Sequence, residues 1–199
     1  MQNIAGRQIV GSFVLAFATL FIGAPVMAVS EPAFSVVRSE GSIELRDYPG
    51  FIVAETEVSG DFDAAGRTGF RRVAGYIFGG NKKPDGSSEK IAMTAPVTLE
   101  PKGDQWRVHF VMPEGYQMDS LPRPVDPNVR LRQVPAHRVA AIRFSGFTTD
   151  ASILENTEAL RAWIAKEQLT EISPPQVARY NDPFTLPWNR RNEILIEIR

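Results

Sequence analysis

Hydrophobic and polar residues alternate with a period of two along several stretches of the chain, a pattern that predicts β-strands. Residues 43–60 and 129–146 each alternate, turn at a proline, alternate again and stop at Ser-Gly, which is typical of a β-hairpin. The remaining strands are predicted in two pairs, 91–99 with 106–112 and 177–180 with 193–198. The pattern therefore predicts about eight strands in all.

Two other stretches repeat their apolar residues every three or four positions, which predicts helices. The first begins after Asp61, a residue type that caps helix N-termini, and ends before Gly79-Gly80. The second begins after Thr149 or Asp150 and ends near Leu169. Each helix lies between two predicted strand pairs, so the order of strand pair, helix and strand pair occurs twice.

The two hairpin-like stretches are also similar in sequence. Seven of their eighteen positions are identical at a shift of 86 residues, which is more than unrelated segments share. We therefore predict two ββαββ halves, at about 34–113 and 128–199, related by a pseudo-twofold axis. Each half buries one face of its strands against its helix, and the seam between the halves is a natural ligand cleft.

The first 28 residues have the pattern of a secretory signal peptide. One charged residue, Arg7, precedes an apolar run at 9–23, and Val26 and Ala28 are the small residues that a signal peptidase requires. The run is shorter than the roughly 20 apolar residues that span a bilayer, so we expect cleavage after Ala28 rather than a membrane anchor. The mature chain, 29–199, is then expected in the periplasm or outside the cell, without a membrane span.

Charge and composition exclude several classes of function. The 22 basic and 23 acidic residues give a net charge of -1, without the excess of positive charge that nucleic-acid-binding proteins show. The chain has no cysteine, so it has no disulfide, thiolate nucleophile or iron–sulfur cluster. Its two histidines, His109 and His137, cannot form a three-histidine metal site. We therefore expect no nucleic-acid partner and no metal centre.

Catalytic signatures are also missing from the sequence. It has no G-x-S-x-G nucleophile elbow, P-loop, dinucleotide fingerprint or H-E-x-x-H pair. Carboxylates are common, but Glu55 and Glu57 share one strand face, as alternation on a solvated face produces. We therefore predict no catalytic residues and a function other than catalysis.

Five sequence blocks resemble the SOUL, or haem-binding protein, family. They occur in the family's order between about Phe34 and Arg199. The blocks are IELRDYP at 43–49, GYIFGGN at 75–81, IAMTAPV at 91–97, FVMP at 110–113 and RRNE at 190–193. The resemblance implies an α+β fold, a distorted eight-stranded antiparallel barrel with two flanking helices, similar to gyrase-inhibitor-like effector-binding domains. It also implies the binding of haem or free porphyrin in an apolar groove beside the first helix.

The first helix carries the residue types that such a ligand needs. A tetrapyrrole buries a flat apolar face and presents two propionates, which arginines bind well. Arg67 matches a basic helix position of the family and is the leading propionate partner. The cofactor-binding residues that we predict are Arg67, Phe70, Arg71, Ala74, Phe78 and Met93. The alternative is that the aromatic residues form ordinary core and the arginines a solvated helix face.

Further residues near the groove leave alternatives open. Gly66, Gly69 and Gly75 cost about 1 kcal/mol each within a helix relative to alanine, which indicates that the space they leave is needed, as for the close approach of a ligand. The arginine pair at 190–191 offers further cations for the rim of the groove. We favour a structural ion pair with Glu193 or a nearby carboxylate for these two arginines.

The axial ligand of a haem iron stays open. Alternation along 106–112 places His109 away from the most apolar strand face, and His137 follows a turn, where we expect an exposed or hydrogen-bonded ring. The other possible ligands are Met93, Met112 and Tyr76. We expect weak or absent coordination of iron by the protein.

These observations predict a non-enzymatic protein that carries, buffers or scavenges haem or another tetrapyrrole outside the cytoplasm. One alternative is an enzyme that removes iron from haem or breaks it down with peroxide. A second alternative is an effector-binding domain for another planar amphiphile.

Overall fold

The computed structural model describes residues 29–199, and the predicted signal segment, 1–28, lies outside them. The strands are β1 (Ser35–Glu40), β2 (Ile43–Tyr48), β3 (Phe51–Ser59), β4 (Asn81–Lys82), β5 (Val97–Lys102), β6 (Gln105–Val111), β7 (Arg123–Pro124), β8 (Arg130–Val134), β9 (His137–Phe144), β10 (Gln176–Arg179) and β11 (Asn192–Glu197). The helices are α1 (Phe62–Ile77) and α2 (Asp150–Lys166), with a 3₁₀ turn at Pro187–Asn189. Among the described residues, no helix has the length and apolarity needed to span a membrane.

Nine of the described strands form one antiparallel sheet in the order β1-β2-β9-β11-β10-β5-β6-β3-β8. The predicted α+β class, with a large antiparallel sheet and two helices, is confirmed. The predicted closed eight-stranded barrel is wrong, because the edge strands β1 and β8 do not pair with each other within residues 29–199. β1, which is not among the predicted strands, takes the free edge of β2. β4 and β7 form a separate two-stranded ladder.

The two stretches predicted as hairpins exchange strands instead of folding back on themselves. β2 pairs with β9, and β3 pairs with β8, so each strand of one stretch lies beside a strand of the other. The hairpin prediction is wrong because alternation identifies a strand and its buried face but not its partner. The other two predicted pairs, β5 with β6 and β10 with β11, are confirmed as pairs, but β5 is Val97–Lys102 and the predicted strand residues 91–96 lie before it. The pseudo-twofold relation between the halves stays a prediction.

The strand exchange requires a strongly curved sheet. β2 is second in the sheet and β3 is eighth, yet only Pro49 and Gly50 connect them. Consecutive Cα atoms are about 3.8 Å apart, so the end of β2 and the start of β3 lie close together. The ring centroids of Tyr48 and Phe51, on either side of the connection, are 6.1 Å apart. The sheet therefore curls until these two strands nearly meet, and it has an inner and an outer face.

Both helices pack on the outer face of the sheet. Asp61 and Thr149 cap them, as predicted, by accepting hydrogen bonds from the backbone N–H groups of Ala64 (2.7 Å) and Ser152 (3.2 Å). α1 packs on β3 and β6, and α2 packs on β9 and β11. Two clusters of buried apolar side chains result, one under each helix. The first includes Ile52, Val73 and Phe110, and the second includes Ala140, Leu160 and Ile194.

Gly66 and Gly69 face the sheet and not a ligand groove. A Cβ atom at Gly69 would lie 2.4 Å from Cγ2 of Val108 in β6, and one at Gly66 would lie 3.3 Å from Cδ2 of Leu99 in β5. The sheet fills the space that these two glycines leave, so the interpretation that they admit a ligand is wrong. Gly75 differs, because it is exposed and a Cβ atom there would meet nothing within 4 Å.

Gly69→Ala is expected to destabilise the protein by about 1–3 kcal/mol, because an added methyl group overpacks the contact between α1 and β6. Gly75→Ala is the matched control on the same helix. It is expected to raise the free energy of unfolding by up to about 1 kcal/mol, because alanine has the higher helix propensity. Urea denaturation followed by circular dichroism measures both changes, and equal effects would contradict the close packing of α1 on β6.

Candidate functional site

The outward side of α1 carries a row of exposed aromatic and basic side chains, which we call the α1 stripe. It consists of Arg67, Phe70, Arg71, Gly75 and Phe78, which recur at helical spacing and are all exposed. Phe70 and Phe78 are 40% and 55% exposed. Gly75 has no side chain, so it leaves a notch between Arg71 and Phe78. The stripe therefore presents flat apolar surface with positive charge at its side.

Arg67 and Arg71 are the cations of the α1 stripe. Neither forms a salt bridge with any residue of the described chain, 29–199. The next arginine, Arg72, turns toward the sheet and donates to the Thr56 hydroxyl (3.4 Å) and the Glu57 carbonyl (3.2 Å). The two stripe arginines are therefore available to bind an anionic group.

The other two predicted site residues lie off the α1 stripe. Ala74 is 6% exposed and belongs to the core cluster under α1, so its methyl group faces the sheet. Met93 is 40% exposed and follows shortly after Ile91, whose N–H donates to the Ile77 carbonyl at the end of α1 (2.8 Å). Ala74 is therefore turned away from the stripe, and Met93 lies two residues after the contact of Ile91 with the C-terminal end of α1.

Both histidines lie on the inner face of the sheet, on the opposite side from α1. His109 alternates with Phe110, which packs under α1, so the predicted orientation of His109 is confirmed. The His109 ring is buried, however, and not solvated. His137 is half-buried, stacks on Tyr48 with 5.5 Å between ring centroids, and contacts the Pro135 carbonyl through Nδ1 (2.9 Å). Neither ring reaches a ligand on the α1 stripe.

Tyr76 and Met112 are also turned away from the α1 stripe. Both are buried in the core cluster under α1, and the Tyr76 hydroxyl donates to the Pro122 carbonyl (3.0 Å). Burial raises the pKa of Tyr76 well above its usual range, so no phenolate forms there. Of the five possible iron ligands, Met93 is the one that lies exposed near the stripe.

A second exposed apolar patch, absent from the sequence-based predictions, lies on the loop between β10 and β11. Arg190 holds this loop by donating to two of its backbone carbonyls (2.8 Å each), so the predicted ion pair with Glu193 is wrong for Arg190. The signal that the sequence contained is three large apolar residues within five positions, on either side of Pro187. They are Phe184, Leu186 and Trp188, which are 92%, 52% and 69% exposed.

The inner face of the sheet contains a buried ion network. Glu193 in β11 is fully buried, and Arg46 in β2 donates to both of its oxygens (2.7 and 3.1 Å). Arg191 and the Tyr180 hydroxyl also donate to it (3.0 and 2.8 Å), so the predicted pair of Arg191 with Glu193 is confirmed. Burial by itself raises the pKa of Glu193, but the hydrogen bonds and charges of these arginines hold it below its ordinary value.

Arg46→Met is expected to lower the free energy of unfolding by about 3–5 kcal/mol at pH 7, because it leaves a buried carboxylate without its main partner. The pKa of Glu193 is lowered in the folded protein, so the pair stabilises the wild-type chain fully above the unfolded-state pKa. That stabilisation is lost as the pH falls below about 4. The difference between variant and wild type is therefore expected to shrink at acid pH.

Arg138→Met is the matched control for this substitution. Arg138 makes the same two-bond contact with Asp47 (2.6 and 2.8 Å), but at an exposed position. Its loss is expected to change the stability little, because water screens exposed ion pairs. Urea denaturation at pH 7 and pH 3 compares the two variants, and equal stabilities at pH 7 would show that the Arg46–Glu193 pair has no special role.

Comparison with known proteins places most of the chain in one family. A family model described as SOUL heme-binding protein matches residues 29–197. The chain is 30% identical to "Heme-binding protein 2" of Homo sapiens over 184 residues, which cover 86% of this chain and 87% of that protein. It is 29% identical to "Heme-binding protein 1" of Xenopus laevis over 164 residues, which cover 77% of this chain and 82% of that protein.

Solved structures of low sequence identity share the fold. The EcmrR C-terminal domain has a TM-score of 0.59 at 13% identity, and the match covers 79% of this chain and 96% of that domain. A structure described as a hydrolase from Listeria innocua has a TM-score of 0.54 at 13% identity, and the match covers 79% of this chain and 92% of that one. At this identity the likeness concerns the fold alone.

Proposed function

This chain belongs to the SOUL heme-binding protein family, and from that premise we propose that it binds haem or a related tetrapyrrole along the α1 stripe. The flat ring lies against Phe70 and Phe78, and the propionates bind Arg67 and Arg71. Two relatives that match this chain along most of their length are named heme-binding proteins, which supports this ligand.

Two exposed aromatic rings and two guanidinium groups without ion pairs share one side of α1, and this combination supports the proposal most strongly. An exposed apolar patch with a polar rim is typical of a binding surface. The stripe from Arg67 to Phe78 is about 16 Å long, since an α-helix rises about 1.5 Å per residue. That length suits a wide planar molecule better than a compact one.

The tetrapyrrole macrocycle contributes more to binding than its iron does. Haem iron in proteins is held by histidine, cysteine, methionine or tyrosine. The chain has no cysteine, and its described histidines and Tyr76 are turned away from the stripe. Met93 is the residue that would approach an iron at the C-terminal end of the stripe. Apolar contact with the macrocycle and ion pairs with the propionates therefore supply most of the affinity.

We further propose that the protein acts without catalysis, as an extracytoplasmic carrier, buffer or scavenger of its ligand. The apolar first 28 residues support secretion. The exposed position of the stripe supports transfer, because a ligand held at the surface by ring contacts and ion pairs leaves without breaking a coordinate bond.

The double variant Arg67→Gln/Arg71→Gln is expected to bind hemin about two- to thirtyfold more weakly, because each partly exposed ion pair contributes roughly 0.2–1 kcal/mol. Titration of hemin, followed by the Soret band, measures the dissociation constants. Arg161→Gln is the control, because it removes one charge from the exposed side of α2. If all three proteins bind hemin equally, the α1 stripe is not the site.

Hemin and metal-free protoporphyrin are expected to bind with affinities within about threefold of each other, a difference below about 1 kcal/mol. Side-by-side titrations measure both. Much tighter binding of hemin, abolished by Met93→Leu, would instead establish coordination of the iron. Conversion of bound hemin to free porphyrin or bile pigment on incubation with reductant or peroxide would establish the alternative of a haem-modifying enzyme.

A further inference from the structure

Residues 30–34, which we call the N-terminal strap, cross the inner face of the sheet. At one end, the Ser30 carbonyl accepts a hydrogen bond from the Ala95 N–H (2.8 Å), just before β5. In the middle, the Glu31 carboxylate accepts from Arg191 (2.9 Å), just before β11. The strap therefore spans several strands and is held by one backbone contact and one ion pair.

The far end of the N-terminal strap is held by aromatic contacts. The Phe34 ring lies 5.2 Å from the Tyr48 ring between centroids, and the Arg46 guanidinium lies 4.4 Å from the Phe34 ring centroid. Each of these contacts joins the strap to the inner face and none of them is covalent. None of the nine strands of the sheet includes a residue of the strap, so opening of the strap breaks no pairing between those strands.

Two cavities adjoin the N-terminal strap. One is an open cleft of about 380 Å³ between the strap and the loop after β6. The other is a cavity of about 40 Å³ under the strap, on the inner face. Both are lined by Pro32, Phe51 and Val111, so they are neighbours. The larger one by itself lies within the size range of small-molecule sites, about 300–1,000 Å³.

His109 lines the smaller cavity and lacks a hydrogen-bond partner. It lies between Thr98 and Glu55 in the sheet and is 8% exposed, and its Nδ1 atom has no partner among residues 29–199. Burial, and then the charges of Arg132 and Arg107, lower the pKa of His109 to about 3, so the ring is neutral at physiological pH. A buried polar atom without a partner is costly, and a bound polar group would satisfy the ring.

The buried carboxylates near the smaller cavity are paired within the protein. Glu193 is paired with Arg46 and Arg191, and Glu55 is paired with Arg132 (2.7 Å). The residues that line the smaller cavity include no Asp, Glu, Lys or Arg, so a charged ligand would find no counter-ion there, which favours a neutral one. Aromatic rings dominate the lining and favour a planar ligand. They are Tyr48, Phe51, His137 and Tyr180.

We propose that the inner face holds a second ligand site, for a compact, neutral, aromatic molecule with one N–H or O–H group that binds the His109 ring, and that the N-terminal strap is its lid. This site is separate from the tetrapyrrole site on α1 and does not depend on it. His109 supplies recognition of the polar group, and the aromatic rings supply the apolar contact.

Indole is the probe for this site, because it is planar and neutral and carries one N–H group. The full chain, labelled with ¹⁵N, is titrated with indole while the side-chain nitrogens of its two histidines are followed by NMR. A saturable shift of the His109 nitrogens is expected. 1-Methylindole, which has the same ring but no N–H, is expected to bind at least about tenfold more weakly, a difference of about 1.4 kcal/mol.

Two variants test the role of His109 and the role of the N-terminal strap separately. His109→Phe is expected to lose the preference for indole over 1-methylindole, and Glu31→Gln is expected to bind indole several-fold more tightly, because it releases the strap. Absence of a saturable His109 shift, or equal binding of the two probes by the wild-type chain, would overturn the proposal even if His109→Phe fails to fold. The double variant Arg67→Gln/Arg71→Gln is expected to bind indole as the wild-type chain does. A failure of the tetrapyrrole proposal can therefore be told apart from a failure of this one.

Discussion

Two short connections impose the shape of this protein. β2 and β3 are joined by two residues, and so are β8 and β9, yet the strands of each pair lie far apart in the order of the sheet. The chain can satisfy both connections only if nine strands curl until distant members nearly meet. Ladder hydrogen bonds between β2 and β9, and between β3 and β8, then hold the curled sheet together. Every other feature follows from this curvature.

Curvature makes the two faces of the sheet chemically different. The outer face is covered by both helices and builds the apolar core. No helix within residues 29–199 packs on the inner face, yet Ala141, Ala178 and Glu193 are completely buried there because the sheet curls around them. Polar groups trapped in that space must pair with one another, which explains the network of Arg46 and Arg191 around Glu193.

Helical periodicity located the exposed side of α1 well. Arg67, Phe70, Arg71 and Phe78 share the outward side, as their spacing indicates, because a helix is a local structure whose geometry fixes which residues are neighbours. The same spacing could not assign Ala74, which lies at the border of the buried side. Helical spacing also could not explain why glycines occur in α1. The side chains that occupy the space beside Gly66 and Gly69 belong to strands distant in sequence.

The sequence by itself determined the α+β class, the two helices and the capping residue of the first, the pairing of β5 with β6 and β10 with β11, and the family. These depend on local periodicity, capping residues and short motifs, which can be recognised in the sequence. Tertiary structure alone decided the exchange of strands between the two similar stretches, the open sheet, and the burial of His109 beside the N-terminal strap. Each of these depends on contacts between segments far apart in the chain, where alternation shows which side of a strand is buried but not what lies against it.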